Sequence, residues 1–557
     1  MSLAKATLRA LETVVGPENI RTDPATLASY AWNGGPGSQP GPKFKHWPAA
    51  VVLPGNTEDV AGIVRACVAD DLKFRPLSTG NGCMYVSNQP GVIVLDLVRM
   101  NRILKLDRFN QMAVIEPYVT AGQLQAEAMK QGLTCHIVGA GQGHSPLASA
   151  TSMLGVGITG ASTGSNVRNM LSLEWVTPQG EIVRIGTSGE EDWFSEEGPG
   201  LGFRGMVRGF KGAHGALGIF TRIGYKLYPW AGAKAIKTTG TVPQNGMPMS
   251  DNMRFFAPAW TDAEQMSKAV IRLNRTGLVF ALLRMPPSSI GYVLTSGNYE
   301  YVARLRNGTL PEVARSENRH ACQILTLSHS EAQTAHQEQV VRSIVAETGG
   351  RMLALDPMDE QILVRGLVTS QYVPRVYRGG MGASSFGVAD SWNLWPKALQ
   401  AAEELVREDI KSGLLATTDR DGHWAWTSER QIWTEHIVAT RSGPDGQAVA
   451  ISAFLRHFHR MHQKRLGVTS FVVGPILDLF GRNGHENVWM RRVKNMLDPQ
   501  WRADATLYAS RRPMAIAKFW PILQPLVLSK AAKPLLTFLL RTAFRKAAKK
   551  APSKFEA

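Results

Sequence analysis

The sequence predicts an α+β fold with mixed α/β subdomains in its N-terminal part. A short apolar strand is predicted at residues 49–54, and a helix follows it with Thr57 as its N-cap. A second strand is predicted at residues 74–77. This order of strand, helix and strand is typical of a mixed α/β domain.

Two helices are predicted before this unit, and four strands are predicted after it. Apolar residues recur at helical spacing over residues 4–16, and a turn followed by a second helix is predicted over residues 20–30. Strands are predicted at residues 92–97 and 112–117. Residues 173–184 predict two more strands, separated by a Pro-Gln-Gly turn.

Two tracts of small residues flank these strands. The first is a turn at residues 75–83, which includes Gly80 and Gly82, and the second covers residues 139–165 and is rich in Gly, Ser, Thr and Ala. Where bulky side chains are missing, backbone N–H groups can approach phosphate groups closely. The tracts therefore predict a binding site for a long, phosphate-bearing cofactor.

The other common phosphate-binding motifs do not fit. Residues 139–143 begin like the G-x-G-x-x-G fingerprint of nicotinamide-binding domains, but His144 stands where the last glycine is required. The sequence contains no G-x-x-x-x-G-K-[ST] motif. A dinucleotide site of the Rossmann type is therefore not expected.

Composition indicates a globular protein of two or three domains. The chain has 557 residues, 44% of them hydrophobic and 19% charged. Its net charge is +17, and residues 501–557 contribute twelve Lys/Arg against two Asp/Glu. No nucleic-acid-binding motif accompanies this charge, so nucleic acid is not expected as a partner. The four cysteines form no CxxC pair and no secretory signal is recognised, which favours a cytoplasmic location without a metal site.

Several segments of the sequence, taken in chain order, resemble segments of one known family. They are Thr57-Glu-Asp-Val60, Ser78-Thr-Gly-Asn-Gly82, residues 94–103, 113–124, 152–157 and 212–221, and Lys494-x-x-Leu-Asp-Pro499. In them the sequence resembles the FAD-linked oxidase superfamily of the vanillyl-alcohol oxidase and p-cresol methylhydroxylase type. The D-lactate and glycolate dehydrogenases are related to that superfamily.

The resemblance implies a two-part FAD-binding domain, made of mixed α/β subdomains, and a cap domain. The cap would be an antiparallel sheet covered by helices that lies over the flavin ring. Residues 1–232 and 493–515 would form the FAD-binding domain, residues 233–492 the cap, and residues 516–557 a basic amphipathic tail.

The resemblance also implies which residues contact FAD. The first turn would hold the pyrophosphate through backbone amides, and the second tract would line the ribityl chain and the ring. No histidine is present in the first turn, where several members bind flavin covalently, so dissociable FAD is expected, with covalent FAD as the alternative. The implied contacts are Pro76, Ser78, Thr79, Gly80, Asn81, Gly82, Cys83, Pro146, Ser149, Ser152, Gly155, Gly157, Gly218 and Ile219.

The cap is expected to supply the catalytic groups. A flavin accepts a hydride, so the protein has to place a C–H bond beside it and remove the partner proton. Residues 372–378 contain two Tyr and two Arg, which would suit a phenolate or a carboxylate, although a surface turn has the same composition. A histidine could act as the base or be a packed strand residue. The candidates are Tyr372, Arg375, Tyr377, Arg378 and His423.

Secondary structure in the cap is predicted from apolar spacing. The predicted strands cover residues 255–260, 279–284, 388–395 and 422–426, and the predicted helices cover residues 262–273, 331–348 and 446–466.

The basic tail, residues 516–557, mixes long apolar stretches with Lys and Arg, which is unusual for the surface of a globular protein. Its longest uncharged stretch, residues 519–529, is too short to span a bilayer, which takes about 20 residues. Residues 533–550 predict a helix that mixes leucines with Lys and Arg. Two interpretations remain open: a peripheral helix on anionic lipid, at the inner face of a membrane, or a helix packed on the body or on a partner subunit.

Three functional hypotheses follow. The first is an FAD-dependent oxidoreductase that removes a hydride from a hydroxylated, aromatic or lipophilic small molecule. The second is a membrane-peripheral 2-hydroxy-acid dehydrogenase that passes electrons to a quinone or a cytochrome. The third is a degenerate flavoprotein that acts as a binding subunit. The sequence leaves open whether oxygen, quinone or cytochrome is the acceptor and whether the chain forms a homo-oligomer.

Overall fold

A computed structural model describes residues 3–31, 46–80, 89–139, 141–152, 155–186, 212–372, 381–389, 392–411, 423–428, 431–439, 444–463, 468–470, 486–505, 508–512, 518–529 and 531–549. Helices and several sheets alternate over these ranges, so the predicted α+β class is confirmed.

The first sheet has four strands and is mostly parallel. Its strands are β1 (Ile20–Arg21), β2 (Ala50–Val52), β3 (Phe74–Leu77) and β4 (Ile93–Asp96), in the order β1-β2-β4-β3. The strands β2, β4 and β3 are parallel, and β1 is antiparallel to β2. Three helices belong to this part: α1 (Lys5–Val15), α2 (Pro24–Tyr30) and α3 (Thr57–Ala69). Apolar side chains of α1 and α3 share one buried core with the strands.

The predicted N-cap of α3 is wrong by one residue. The side-chain oxygen of Asn56 accepts a hydrogen bond from the Asp59 N–H at 2.8 Å, so Asn56 is the cap. Thr57 is the first helical residue, and its hydroxyl donates to the buried carboxylate of Glu174 at 2.6 Å. Asn and Thr are both good caps, so local preference does not separate them. The contact with Glu174 instead joins α3 to the second sheet.

The second sheet has five antiparallel strands. They are β5 (Ile103–Asp107), β6 (Met112–Ile115), β8 (Met170–Val176), β9 (Ile182–Ile185) and β10 (Ile219–Lys226), in the order β5-β6-β10-β8-β9. The two strands predicted around the Pro-Gln-Gly turn are β8 and β9. Two short strands, β7 (Leu133–Thr134) and β11 (Tyr228–Pro229), pair with each other. The helices here are α4 (Ala121–Lys130), α5 (Pro146–Thr151) and α6 (Gly160–Thr163).

The third sheet is the antiparallel sheet expected for the cap. It contains β12 (Met253–Phe256), β14 (Val279–Arg284), β15 (Gln323–Leu327), β17 (Met381–Ala389), β18 (His423–Ser428), β19 (Gln431–Ala439) and β20 (Val468–Ser470). The order is β12-β15-β14-β18-β19-β17-β20, and each of its pairs is antiparallel. A small separate pair joins β13 (Pro258–Ala259) to β16 (Arg351–Met352).

Helices accompany the third sheet along the chain. They are α7 (Ala263–Thr276), α8 (Pro287–Leu294), α9 (Asn298–Arg306), α10 (Glu331–Glu347), α11 (Pro357–Thr369), α12 (Trp395–Lys411) and α13 (Pro444–Gln463). The strand predicted at residues 388–395 is wrong in its second half, because β17 ends at Ala389 and a helix begins at Trp395. Pro396 stands in the first turn of that helix, where a proline is tolerated.

A buried ion pair ties the C-terminal return to the N-terminal part. Helix α14 (Glu486–Leu497) carries Lys494, whose ammonium group has no exposed surface. Lys494 Nζ lies 2.5 Å from Asp498 Oδ2, and it donates to the carbonyl oxygens of Ala216 at 2.6 Å and Ala503 at 2.8 Å. Burial lowers the pKa of Lys494, and Asp498 opposes that shift. Three acceptors thus match the three protons of the ammonium group.

Two further helices follow, α15 (Trp520–Val527) and α16 (Lys533–Lys549), of which the second confirms the helix predicted in the tail. No helix in the described ranges combines the length and the apolar character needed to span a bilayer.

We expect Lys494→Met to lower the free energy of unfolding by about 3–5 kcal/mol, because it leaves a buried carboxylate without its counter-charge. Lys130→Met is the control, since Lys130 is paired with Glu127 on the surface; exposed pairs contribute about 0–1 kcal/mol. Denaturant titration of both variants measures the difference. Equal losses would show that the buried pair does not hold the return segment.

Candidate functional site

The first turn follows directly from β3 and is held from two sides. The Ser78 hydroxyl donates to the carbonyl oxygen of Pro117 at 2.5 Å, and the Thr79 hydroxyl oxygen accepts from the Ser145 N–H at 3.0 Å. The second bond joins the first turn to the second tract. The predicted contacts Asn81, Gly82 and Cys83 lie outside the described residues.

Gly80 has the conformation and the surroundings that a close ligand requires. Its φ of +85° lies in the left-handed region, which favours glycine. A Cβ on Gly80 would meet no described atom within 4 Å, and the same is true of Gly143 in the second tract. As far as the described residues go, nothing fills the space beside the backbone at either position on the side where a side chain would otherwise stand.

The helix α5 lies within the second tract of small residues. Its N-cap is Ser145, whose hydroxyl oxygen accepts from the Ala148 N–H at 3.1 Å. Pro146 and Ser149 are buried, and the Ser152 carbonyl oxygen accepts from the His214 N–H at 3.0 Å. The segment that precedes β10 is thus joined to the end of α5.

The remaining glycines that were expected to contact FAD allow neighbouring backbone segments to pack closely. A Cβ on Gly157 would lie 2.0 Å from the Ile137 carbonyl oxygen, and one on Gly155 would lie 2.7 Å from a methyl group of Val167. At Gly218, which precedes Ile219, a Cβ would lie 2.3 Å from the carbonyl oxygen of Val176. Each of these glycines faces the protein core on its side-chain side.

Pro76 is in contact with the segment before β10. A Cβ on Gly215 would lie 2.9 Å from the Pro76 ring, so the segment passes directly over the end of β3. Lys494 binds the next residue of this segment, Ala216, through its carbonyl oxygen. The buried ion pair therefore fixes one wall beside the first turn.

The C-terminal end of α11 brings the cap onto the second tract. The Ser370 hydroxyl donates to the Gly139 carbonyl oxygen at 2.9 Å, and Gln125 Nε2 donates to the Val368 carbonyl oxygen at 3.0 Å. A Cβ on Gly141 would lie 3.4 Å from the Ser370 carbonyl oxygen. The cap and the glycine tract are in direct contact here.

Burial favours the neutral form of two histidines, His144 and His136. His144 Nδ1 lies 3.2 Å from the Gly141 carbonyl oxygen, which can only accept, so Nδ1 carries the proton. Burial lowers the pKa of His144. Burial also lowers the pKa of His136 to about 4, and its Nδ1 lies 2.8 Å from the Thr163 hydroxyl.

The predicted catalytic residues are only partly described. Tyr372 is buried, and its hydroxyl donates to the carbonyl oxygen of Leu363 and lies 3.1 Å from Gln323 Oε1. Its ring meets Trp424 edge-on, with 6.4 Å between the centroids. Tyr372 is thus part of the cap core. The side chain of His423, which is a residue of β18, lies outside the described part of the chain, as do Arg375, Tyr377 and Arg378.

One cation near the contact was not among the sequence candidates. Arg365 lies on α11, and its Nε and Nη1 atoms are buried without a hydrogen-bond partner among the described residues. Burial lowers the pKa of its guanidinium group. Five residues separate Arg365 from Ser370, about 7 Å along a helix axis. The sequence signal would have been a single basic residue within the apolar run of residues 362–368.

Comparison with known proteins identifies the N-terminal part. Residues 48–186 match the family model described as an FAD binding domain. This chain carries an FAD-binding domain. The match covers both tracts up to the end of β9, so the cofactor expected from the sequence is confirmed. The open space beside Gly80 and Gly143 in the FAD-binding domain fits a cofactor that its backbone approaches closely.

Curated relatives match about two fifths of this chain. The glycolate oxidase subunit GlcD of Bacillus subtilis is 26% identical over 41% of this chain and 46% of its own length. The flavoprotein subunit of 4-cresol dehydrogenase [hydroxylating] from Pseudomonas putida is 27% identical over 40% of this chain and 42% of its own length. The chain spans about half the length of the curated relatives it matches.

Solved structures match over nearly the whole chain. The structure of p-cresol methylhydroxylase with substrate bound has a TM-score of 0.69 at 17% identity and covers 91% of this chain and 98% of its own. The 4-ethylphenol oxidase from Gulosibacter chungangensis has a TM-score of 0.68 at 18% identity and covers 91% of this chain and 97% of its own. Besides the FAD-binding domain, the cap therefore has the fold of these flavoproteins.

We expect Gly80→Ala to weaken FAD binding by about 5- to 150-fold, since a forced overlap costs about 1–3 kcal/mol. Gly308→Ala is the control, because Gly308 also has a positive φ of +67° and open surroundings, so the backbone strain is matched. The dissociation constant is measured by the quenching of FAD fluorescence. Equal FAD affinity in the two variants would place the cofactor away from Gly80.

Proposed function

We propose that the chain is an FAD-dependent oxidoreductase that removes a hydride from a hydroxylated, aromatic or lipophilic small molecule. The observation that supports this most is the direct contact between the FAD-binding domain and the cap, where Ser370 binds Gly139. A site between a cofactor domain and a cap sheet excludes water and leaves room for an apolar donor. FAD, when bound, supplies a hydride acceptor.

The first turn and the second tract hold the cofactor in this proposal. Backbone N–H groups near Gly80 and Gly143 would hold the diphosphate. The Ser78 and Thr79 hydroxyls keep the turn in place by their bonds to Pro117 and Ser145. Gly155, Gly157 and Gly218, which pack against the protein core, would contact the cofactor through backbone atoms only.

Arg365 binds the anionic group of the donor in this proposal. Arg365 is half-buried, and its Nε and Nη1 atoms have no hydrogen-bond partner among the described residues. An anion beside them would offset the cost of their desolvation. A phenolate or a carboxylate would satisfy it in a charge-assisted hydrogen bond. The neutral His144 offers Nε2 as an acceptor for the hydroxyl proton.

The catalytic candidates from the sequence have different roles in this proposal. Tyr372 would support the site by packing, since its hydroxyl is already engaged with Leu363. Arg375, Tyr377, Arg378 and His423 stay candidates for binding the donor or taking its proton.

A second candidate function is a 2-hydroxy-acid dehydrogenase that passes electrons to a quinone or a cytochrome at a membrane surface. One relative is named a glycolate oxidase subunit and another a D-lactate dehydrogenase, which favours this alternative. Against it, residues 419–423 match poorly the His-x-Gly-Asp-Gly-Asn-x-His element that this branch is expected to carry.

A donor screen distinguishes the two functions. Under anaerobic conditions, we expect para-alkylated phenols or aromatic alcohols to bleach the flavin absorbance of the purified holoprotein, whereas D-lactate and glycolate leave it unchanged. Readmission of air then separates an oxidase, whose colour returns at once, from a dehydrogenase that requires a dye acceptor. Bleaching by the hydroxy acids only would establish the second function instead.

We expect Arg365→Met to raise KM for an anionic donor by about 10- to 100-fold, because hydrogen bonds to charged groups contribute about 1.5–3 kcal/mol. KM for a neutral aromatic alcohol should change little, and Arg365→Lys should recover part of the loss. Arg342→Met is the control, as Arg342 is exposed and paired with Glu338. An equal rise in KM for both donors would show that Arg365 supports folding rather than binding.

A further inference from the structure

The helix α15 is oriented with an apolar face outward. Phe519, Ile522 and Leu526 are 62%, 71% and 67% exposed, and their spacing places them on one side of the helix. The opposite side is buried and includes Trp520 and Gln524. A surface helix of a globular protein normally has polar residues on its exposed side. Here the exposed side contains an apolar stripe and the buried side contains a glutamine.

The helix α16 continues this arrangement. Leu535, Phe538 and Leu539 are exposed and lie at positions i, i+3 and i+4, which share one face. The other side of α16 faces the cap: Thr537 is buried, and its hydroxyl lies 3.5 Å from the Ser452 hydroxyl of α13.

A bidentate ion pair fixes α16 on the cap. Arg545 Nε and Nη2 lie 2.9 Å and 2.6 Å from the two carboxylate oxygens of Asp445, at the start of α13. Because α13 already occupies the polar side of α16, the stripe formed by Leu535, Phe538 and Leu539 is directed away from the body. We call this stripe, together with Phe519, Ile522 and Leu526, the apolar face.

The segment that carries the apolar face is strongly basic, although Arg545 is paired with Asp445 of α13. Residues 505–555 contain eleven Lys/Arg and no Asp/Glu. Lys518, Arg545 and Lys546 are exposed in the described part of this segment. Phe519 directly follows Lys518, so basic and apolar residues are interleaved. Anionic lipid headgroups complement such a surface, since lysine and arginine bind them while apolar side chains enter the acyl boundary.

A protein partner fits this surface less well. Protein interfaces are depleted in lysine, and a second copy of the chain would bring two strongly basic faces together. Neither objection applies to an anionic bilayer.

We propose that α15 and α16 dock the protein on an anionic phospholipid bilayer, with the apolar face buried at the boundary between headgroups and acyl chains. The attachment is peripheral and reversible, and it does not depend on which donor the enzyme oxidises. Because α16 is fixed on α13, the docked surface belongs to the cap side of the molecule. A lipophilic donor or a membrane quinone would then be close to the part of the chain that covers the cofactor.

Vesicle flotation of the full-chain holoprotein tests this proposal. We expect the protein to float with phosphatidylcholine vesicles that contain about 30% phosphatidylserine, and to remain behind with phosphatidylcholine only or at high salt. Ile522→Ser combined with Phe538→Ser should lower the partition coefficient by tenfold or more. Lys518→Gln combined with Lys546→Gln should lower it about 25-fold, as each basic residue near the surface contributes about fivefold.

Matched variants elsewhere serve as controls. Phe109→Ser removes an aromatic side chain that is 95% exposed in the turn between β5 and β6, and Lys130→Gln removes an exposed charge of α4. Both should float like the unmodified protein, and FAD content and circular dichroism verify folding of every variant. The proposal is overturned if the unmodified protein does not float, or if the docking variants float as it does. It is also overturned if sedimentation shows a dimer that Ile522→Ser with Phe538→Ser converts to monomer.

Discussion

The fold depends on the fully buried ion pair between Lys494 and Asp498. An ammonium group in the core is stable only when its charge and its three protons are matched, and here Asp498 and the carbonyl oxygens of Ala216 and Ala503 match them. These acceptors come from segments almost 290 residues apart in sequence. The ammonium group of Lys494 thus joins the C-terminal return to the segment before β10.

The C-terminal return segment that carries this ion pair also holds the strand before the first turn. Asp504 lies 3.0 Å from Arg75 of β3, and its N–H donates to the Phe74 carbonyl oxygen, so the return segment also holds the strand that leads into the first turn. Gly215 packs on Pro76 from the other side. The turn that includes Gly80 is therefore held in position without a ligand. Such preorganisation lowers the entropic cost of binding.

Local patterns made part of the FAD-binding domain predictable, whereas contacts between distant segments could not be predicted. The strands β2, β3, β4, β6, β8 and β9 follow from apolar runs and turn signals that act over a few residues. The strands β5 and β10 and the helix α4 were not predicted. The error at Asn56 shows the limit, because two good caps stood side by side and a distant carboxylate, Glu174, took the hydroxyl of Thr57. Tyr372 could not be told from a surface tyrosine for the same reason: its partners Gln323 and Leu363 are set by the cap sheet.

Lys494 and Arg365 differ in how the described residues match their charges. Lys494 has all its partners within the protein, and removing any of them would leave a charge that the core cannot tolerate. Arg365 is less deeply buried, stands at the end of α11 that contacts the glycine tract, and has two nitrogens without a described partner. Among the described residues nothing compensates the desolvation of these two nitrogens, which is why we propose Arg365, and not Lys494, as a ligand-binding cation.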